Sequence, residues 1–113
     1  MKAIQVSEFG GPEVLQLVEV SCPGVNANEV LVRNCAVGVN PVETYIRAGT
    51  YPNLPQLPYI PGSDAAGIVE AVGDGVSAFS PGDRVYVAGT LTGAYAEYTV
   101  CDQSRVFALP EQV

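Results

Sequence analysis

Short apolar runs separated by glycine- and proline-rich turns recur along the whole chain. Runs of this kind, bounded by turn-forming residues, are typical of β-strands. We predict strands at residues 2–6, 14–20, 29–39, 65–72, 84–87, 94–100 and 106–109. The pattern therefore indicates a mainly β fold.

The second of these runs shows the clearest alternation of side chains. It places Leu15, Leu17 and Glu19 on one face of a strand and Val14, Gln16, Val18 and Val20 on the other. Neither face is purely polar, so we expect both to be partly covered. Between the runs, Gly-Gly-Pro at residues 10–12 and Pro-Gly-Asp at residues 81–83 have the composition of tight turns.

Residues 40–49 predict one short helix. Asn40 is a favoured N-cap, and Pro41 suits the first helical position because its missing N–H would have no helical partner. Glu43 lies near the positive end of the helix dipole, and Gly49 is a typical C-cap. The helix should therefore begin after Asn40 and end at Gly49.

The predicted helix has two distinguishable faces. Val42, Tyr45 and Ile46 recur at the i, i+3 and i+4 spacing and should share one face. Glu43 and Arg47 stand four residues apart and can form an ion pair on the other face.

Composition limits the classes of protein that the chain can belong to. It has 113 residues, of which 48% are hydrophobic and 15% charged, so we expect one folded domain. The net charge is −7 and Lys and Arg are not clustered, which disfavours nucleic acid and anionic membranes as partners. We see neither a signal-peptide pattern nor a membrane span, and we expect a cytoplasmic protein.

Cysteine and histidine content bears on redox state and metals. Cys22, Cys35 and Cys101 are widely spaced and odd in number, so we expect reduced thiols, with ordinary packing for Cys35 and Cys101. The chain contains no histidine and no C-x-x-C pair. It therefore offers no recognisable zinc site and no histidine-based acid–base catalysis.

Residues 73–78 match the G-x-G-x-x-A dinucleotide fingerprint after a predicted strand. That fingerprint requires a helix whose N-terminus holds the pyrophosphate. Pro81 and Gly82 follow too soon for such a helix to form, so we interpret the segment as a loop between strands.

Four longer segments carry a specific combination of motifs. They are FGGPEVLQL at residues 9–17, AVGVNPVETYIRAGTY at 36–51, LPYIPGSDAAGIVEAVGDGVSAFSPGDRVY at 57–86 and GAYAEY at 93–98. In order and spacing they resemble the medium-chain dehydrogenase/reductase superfamily and, within it, the zinc-free NADPH:quinone oxidoreductases of the zeta-crystallin type.

This resemblance implies a domain organisation. Members of the family combine a GroES-like, partly open β-barrel bearing one or two short helices with a Rossmann domain that holds most of the NADPH contacts. Residues 1–113 correspond to the GroES-like N-terminal, catalytic domain alone. We therefore expect the Rossmann domain to be missing, the chain to be inactive by itself, and the full-length enzyme to be a homo-oligomer.

The resemblance also singles out site residues. Tyr45 matches a tyrosine of the cofactor and substrate cleft and is the candidate catalytic and NADPH-contacting residue, although packing as a core aromatic also explains it. Asn40 is a candidate cofactor and substrate contact, although N-capping also explains it. Ser63 and Asp64 are candidate substrate-cleft residues, and Gly62 is explained by a turn. Zinc-dependent members carry Cys at the position of Asn40 and His-Glu at Ser63 and Asp64, so no metal is expected.

The implied function is hydride transfer from NADPH to a quinone or a conjugated carbonyl, with Tyr45 as a hydrogen-bond donor to the developing oxyanion. The alternative is a non-catalytic GroES-like module that is crystallin-like, co-chaperone-like or RNA-binding. The N-P-V-E-T-Y string at residues 40–45 favours the reductase.

Overall fold

Valine-rich strands pair into two antiparallel sheets in the computed structural model, which describes residues 1–113. The strands are β1 Lys2–Val6, β2 Leu15–Glu19, β3 Glu29–Val37, β4 Asp64–Val72, β5 Arg84–Ala88, β6 Tyr98–Asp102 and β7 Val106–Ala108. One α-helix, α1, spans Pro41–Ala48, and two single 3₁₀ turns span Pro12–Val14 and Gln103–Arg105. The predicted mainly β fold with one or two short helices is confirmed.

The larger sheet has the strand order β6-β3-β4-β5-β7 and curls into a partly open barrel. Its concave side holds the core, in which Val30, Val32, Val69 and Val85 are almost completely buried. Each buried valine contributes about 1.5–3 kcal/mol relative to an exposed one. Two register shifts between β3 and β4 interrupt the ladder, and bulges of this kind increase the local twist and so help the sheet to curl.

The N-terminal hairpin of β1 and β2 closes one side of this barrel. Ala3 forms an isolated bridge with Ala96, and the N–H of Ile4 donates to the carbonyl of Tyr95 at 2.8 Å. This pairing explains why the predicted strand at 94–100 begins only at Tyr98. The preceding residues bond mainly to β1 and to the segment at Pro61, and a single bond to the main sheet runs from the N–H of Asn34 in β3 to the carbonyl of Glu97 at 2.8 Å.

Strand ends elsewhere differ from prediction by a few residues. Pro12 opens a 3₁₀ turn that includes Val14, so the second strand starts at Leu15 and not at Val14. The predicted turns at residues 10–12 and 81–83 both form. Gly82, in the second of them, has a φ of +97°. Residues 73–75 form a turn and no helix follows them, so the loop interpretation of the G-x-G-x-x-A match is confirmed.

Helix α1 has the predicted limits. It starts after Asn40, and at its end Gly49 adopts the left-handed conformation at φ +80° while its N–H donates to the carbonyl of Ile46. The predicted Glu43–Arg47 ion pair is wrong. Arg47 Nε donates instead to the carbonyl of Gly10 at 3.2 Å, while Glu43 is buried.

The prediction that Val42, Tyr45 and Ile46 share one face of α1 is also only partly correct. Val42 and Ile46 are half-buried, but Tyr45 is 55% exposed, so its interpretation as a core aromatic is wrong. Successive helical residues are rotated by about 100°, which puts Tyr45 about 60° from Val42 on the side away from Ile46. Tyr45 therefore lies at the edge of the apolar stripe.

The three cysteines are free. Cys101 is completely buried in the core as predicted, but Cys35 is exposed, and ordinary packing is the wrong description of it. Cys35 lies in the bulge of β3, where it has no register partner on either neighbouring strand. No helix in the structure combines the length and the apolar character needed to cross a bilayer.

Candidate functional site

Two of the predicted site residues meet where α1 approaches β4. Asn40 Nδ2 donates a hydrogen bond to Asp64 Oδ1 at 2.6 Å. Asp64 is held there because it is the first residue of β4 and its carbonyl accepts from the N–H of Gly38 at 2.9 Å. The N-cap of the helix and the first residue of the strand therefore form one polar corner, which we call the α1/β4 corner.

The buried carboxylate of Glu43 contacts this corner from the interior of the domain. Glu43 is only 6% exposed, and its Oε2 accepts from the backbone N–H of Asn40 at 2.6 Å and from the Tyr95 hydroxyl at 2.8 Å. A third contact joins Asn40 Nδ2 to Glu43 Oε1 at 3.4 Å. Because a buried carboxylate needs such donors, Glu43 fixes the position of Asn40.

Tyr95 is the far end of the same network. Burial, followed by the hydrogen bond to Glu43, raises the pKa of the Tyr95 hydroxyl well above its usual value. The phenol therefore stays protonated and continues to donate to Glu43 over the whole physiological pH range. Its backbone is also fixed, since its N–H donates to the carbonyl of Pro61 at 2.9 Å.

Two glycines permit this close packing. A Cβ on Gly38 would overlap the Asp64 carboxylate, so only glycine leaves room for that side chain. Gly62 has a φ of +100°, and a Cβ there would lie 2.7 Å from the Tyr95 ring and 2.8 Å from the Ala94 Cβ. Gly62 thus forms the turn predicted for it and also accommodates a site residue.

An apolar cavity of about 420 Å³ lies beside the corner, between α1 and residues 53–63. Val42 and Ile46 line it from the helix, and Ser63 lines it from the opposite side. The Ser63 side chain is exposed and forms no hydrogen bond to Asn40 or Asp64. The cavity therefore brings a hydroxyl and an apolar wall next to the polar corner.

Tyr45 is the one predicted site residue that lies away from both the α1/β4 corner and the cavity. It does not line the 420 Å³ cavity, and its ring is exposed on another side of α1. No hydrogen bond engages its hydroxyl, which leaves the group free to contact a ligand that covers this side of the helix.

Three residues of the site were missed by the sequence analysis: Glu43 as a buried acceptor, Tyr95 and Gly38. A sequence signal existed for Glu43, because Asn at the N-cap followed by Glu three residues later is the capping-box spacing. For Tyr95, 52 residues distant from Glu43, only the fold supplies the contact.

No three carboxylate or thiol side chains come together as a potential metal-ligand group. At the α1/β4 corner the Asp64 oxygen is already the acceptor of the Asn40 amide. An amide N–H donor beside a hydroxyl and two carboxylates that already accept hydrogen bonds is a poor donor set for Zn²⁺, which prefers thiolate and imidazole.

A curled antiparallel half-barrel with a capped helix leading into its polar corner defines a GroES-like domain. The family described as the alcohol dehydrogenase GroES-like domain matches residues 26–111, and the chain belongs to this family.

Several similar proteins are quinone oxidoreductases. The chain is 56% identical over 112 residues to the quinone oxidoreductase of Rattus norvegicus, and the match covers 98% of this chain and 34% of that protein. It is 54% identical over 114 residues to that of Homo sapiens, covering 100% of this chain and 35% of that protein. The chain thus spans about a third of the length of these curated relatives.

A solved structure shows the same fold. The Escherichia coli quinone oxidoreductase complexed with NADPH superposes with a TM-score of 0.95 at 42% identity, over 100% of this chain and 34% of that one. In these relatives, the region that matches this chain is the N-terminal part of a longer enzyme.

Proposed function

We propose that the chain is the N-terminal, catalytic domain of an NADPH-dependent quinone reductase, and that its α1/β4 corner forms one wall of the reaction cleft. The observation that carries the proposal is the identity of 54–56% to quinone oxidoreductases over essentially the whole chain. A polar corner next to an apolar cavity is the arrangement that such a substrate needs.

The cavity suits a flat, apolar electrophile. Its volume of about 420 Å³ lies within the range of small-molecule sites, and its walls include Val42, Ile46 and Leu54. A quinone or conjugated carbonyl would place its ring against these side chains. Its oxygen would then lie within reach of the Ser63 hydroxyl or the polar groups at the corner.

The residues of this chain orient the reactants and donate hydrogen bonds. When bound, NADPH supplies the hydride. Asn40, held by Asp64 and Glu43, presents a fixed amide at the cleft. Tyr45 lies outside the cavity, so its exposed and unbonded hydroxyl would donate to the developing oxyanion where the reacting carbonyl extends from the cavity to the side of α1 that carries Tyr45.

We further propose that the reaction uses no metal. Asn40 and Ser63 provide no zinc ligand, and Asp64 is engaged by an amide donor. Quinones accept hydride readily, so orientation and hydrogen bonding meet the chemical need without a Lewis acid.

The active protein should be longer than 113 residues. We propose that a Rossmann domain following this chain supplies most of the NADPH contacts, that the chain alone turns over negligibly, and that the whole enzyme is a homo-oligomer. The free and exposed thiols of Cys22 and Cys35 suit a reducing compartment, so we place the protein in the cytoplasm.

The test is oxidation of NADPH in the presence of 9,10-phenanthrenequinone, measured for this chain and for the polypeptide that continues beyond Val113. We expect quinone-dependent turnover in the longer polypeptide only, undiminished by a zinc chelator. Ethanol with NADP⁺ serves as the matched control for alcohol dehydrogenase activity. Turnover of ethanol but not of the quinone, or turnover of neither substrate, would refute the proposed function.

A further inference from the structure

A row of apolar side chains crosses the convex face of the large sheet. In the strand register, Ala36 is paired with Ala66, Ala66 with Tyr86, and Tyr86 with Phe107. These four residues therefore lie side by side on β3, β4, β5 and β7. Paired residues of antiparallel strands point to the same face. We call this set the convex row.

The convex row is exposed. Tyr86 is 42% exposed and Phe107 is 41% exposed, and their rings stack with centroids 5.1 Å apart. Along β5 the neighbours Val85 and Val87 point the other way and are almost fully buried. An apolar strip of stacked aromatics in water is typical of a surface that another element covers.

A groove adjoins the row at its β3 and β4 end. It has a volume of about 430 Å³, and Val37, Ala66 and Tyr86 form its apolar walls. Asp64 lines the groove where it reaches the α1/β4 corner. Whatever covers the convex row therefore also comes to lie beside the candidate site.

The end of the chain lies next to the same surface. The N–H of Leu109 donates to the carbonyl of Arg84 at 3.0 Å, and the Arg84 guanidinium donates to the carbonyl of Val113. Arg84 is two residues before Tyr86 in β5 and shares its face. A polypeptide continuing from Val113 would thus start at the edge of the convex row.

We propose that the convex row and its groove are the docking surface for the polypeptide that follows Val113. The curated relatives are about three times the length of this chain, so ample sequence exists in such proteins to cover the row. The inference rests on the part of the proposed function that places a further domain after this chain, and not on the reduction of a quinone.

Charge favours the polypeptide that follows Val113, rather than a second copy of the chain, as the partner that covers the convex row. Each copy carries a net charge of −7, so two copies repel each other. Arg33 and Arg84, which both pair with Ile68, form a cationic border next to the row. The docked segment should therefore present apolar side chains to Tyr86 and Phe107, and acidic or carbonyl oxygens to this border.

Hydroxyl-radical footprinting of the longer polypeptide, read residue by residue with mass spectrometry, tests the proposal. Leu17, which is 70% exposed on β2 and outside the row, is the internal reference. After correction for intrinsic reactivity, we expect Tyr86 and Phe107 to be oxidised at least about fivefold more slowly than their exposure in this chain implies, because a docked surface excludes water.

A second measurement uses paired variants. Tyr86→Glu in the longer polypeptide should lower its urea midpoint, whereas Leu17→Glu should leave it nearly unchanged. Footprints of Tyr86 and Phe107 that match their exposure in this chain would overturn the proposal. So would protection that disappears on dilution, which would indicate a second copy, or a natural polypeptide that stops at Val113. Protection without quinone turnover would refute only the proposed function.

Discussion

Asn40 Nδ2 lies 2.6 Å from Asp64 Oδ1, and this hydrogen bond ties the N-terminus of the only α-helix to the first residue of the central strand β4. The two residues are 24 positions apart, yet both lie in segments that carry the resemblance to quinone oxidoreductases. The side-chain amide of Asn40 thus links α1 to the sheet beside the candidate cleft.

Replacement of Asn40 by alanine should destabilise the chain by about 1–2 kcal/mol, because the helix loses its N-cap residue and Asp64 loses a donor. Urea unfolding followed by circular dichroism measures the change. Asn26→Ala is the matched control, since the exposed Asn26 side chain forms no hydrogen bond. Equal unfolding free energies for the two variants would show that the contact with Asp64 contributes nothing.

Replacement of Tyr95 by phenylalanine removes one of the donors to the buried Glu43 carboxylate. We expect a loss of about 1–3 kcal/mol in the free energy of unfolding, since a buried charge is left with fewer partners. Tyr98→Phe is the control, because no hydrogen bond engages the Tyr98 hydroxyl and its ring is equally half-buried. The account predicts a clear difference between these two variants in urea, and similar midpoints would contradict it.

Gly62→Ala should be costly, by about 1–3 kcal/mol, because φ is +100° and the added methyl group meets the Tyr95 ring. Gly24→Ala provides the comparison, since nothing lies within 4 Å of a Cβ at that position. Thermal unfolding of both variants measures the effect. If Gly62→Ala melts at the same temperature as Gly24→Ala, the close approach described for Tyr95 is wrong.

Alkaline pH should destabilise the fold through Cys101. Burial raises the pKa of its thiol to about 12, whereas an unfolded cysteine titrates near 8.5. Between these values the folded chain binds more protons than the unfolded chain, so stability falls as pH rises from about 8.5 to about 12. Cys101→Ala should reduce the slope of stability against pH in this window, and Cys22→Ala, at an exposed position, should not.

Thiol accessibility provides an independent check on the same residue. In the native chain, Ellman's reagent should react rapidly with the exposed Cys22 and Cys35 and reach Cys101 only on unfolding. Rapid reaction of all three thiols in the folded chain would contradict the buried position of Cys101.

Much of the fold could be predicted from local pattern. Valine-rich runs between turns gave the strands, and Asn40 and Gly49 marked the ends of α1, because capping depends only on neighbouring residues. The start of β6 could not be predicted in this way. Residues 94–97 have the composition of a strand, but several of their backbone groups bond to residues 61–62 and to β1, a partner about 90 residues away.

The site was less predictable for a related reason. Asn40 and Asp64 were identified through motif resemblance, but their contact, and the burial of Glu43, depend on how β4 and Tyr95 approach the helix. The i, i+4 spacing of Glu43 and Arg47 suggested an ion pair. In the structure Glu43 is instead buried, where it accepts from the Asn40 N–H and the Tyr95 hydroxyl, and Arg47 donates to the carbonyl of Gly10.

The most direct test of the central claim is steady-state reduction of 9,10-phenanthrenequinone by the polypeptide that continues beyond Val113, compared between the wild type and Tyr45→Phe. Tyr45 is exposed, so its variant should fold normally, and Tyr98→Phe controls for the loss of a phenol elsewhere. If the side of α1 that carries Tyr45 faces the reacting carbonyl, kcat should fall by about tenfold or more in Tyr45→Phe alone. Full activity of Tyr45→Phe, with kcat and KM equal to those of the wild type, would show that the reduction does not take place there.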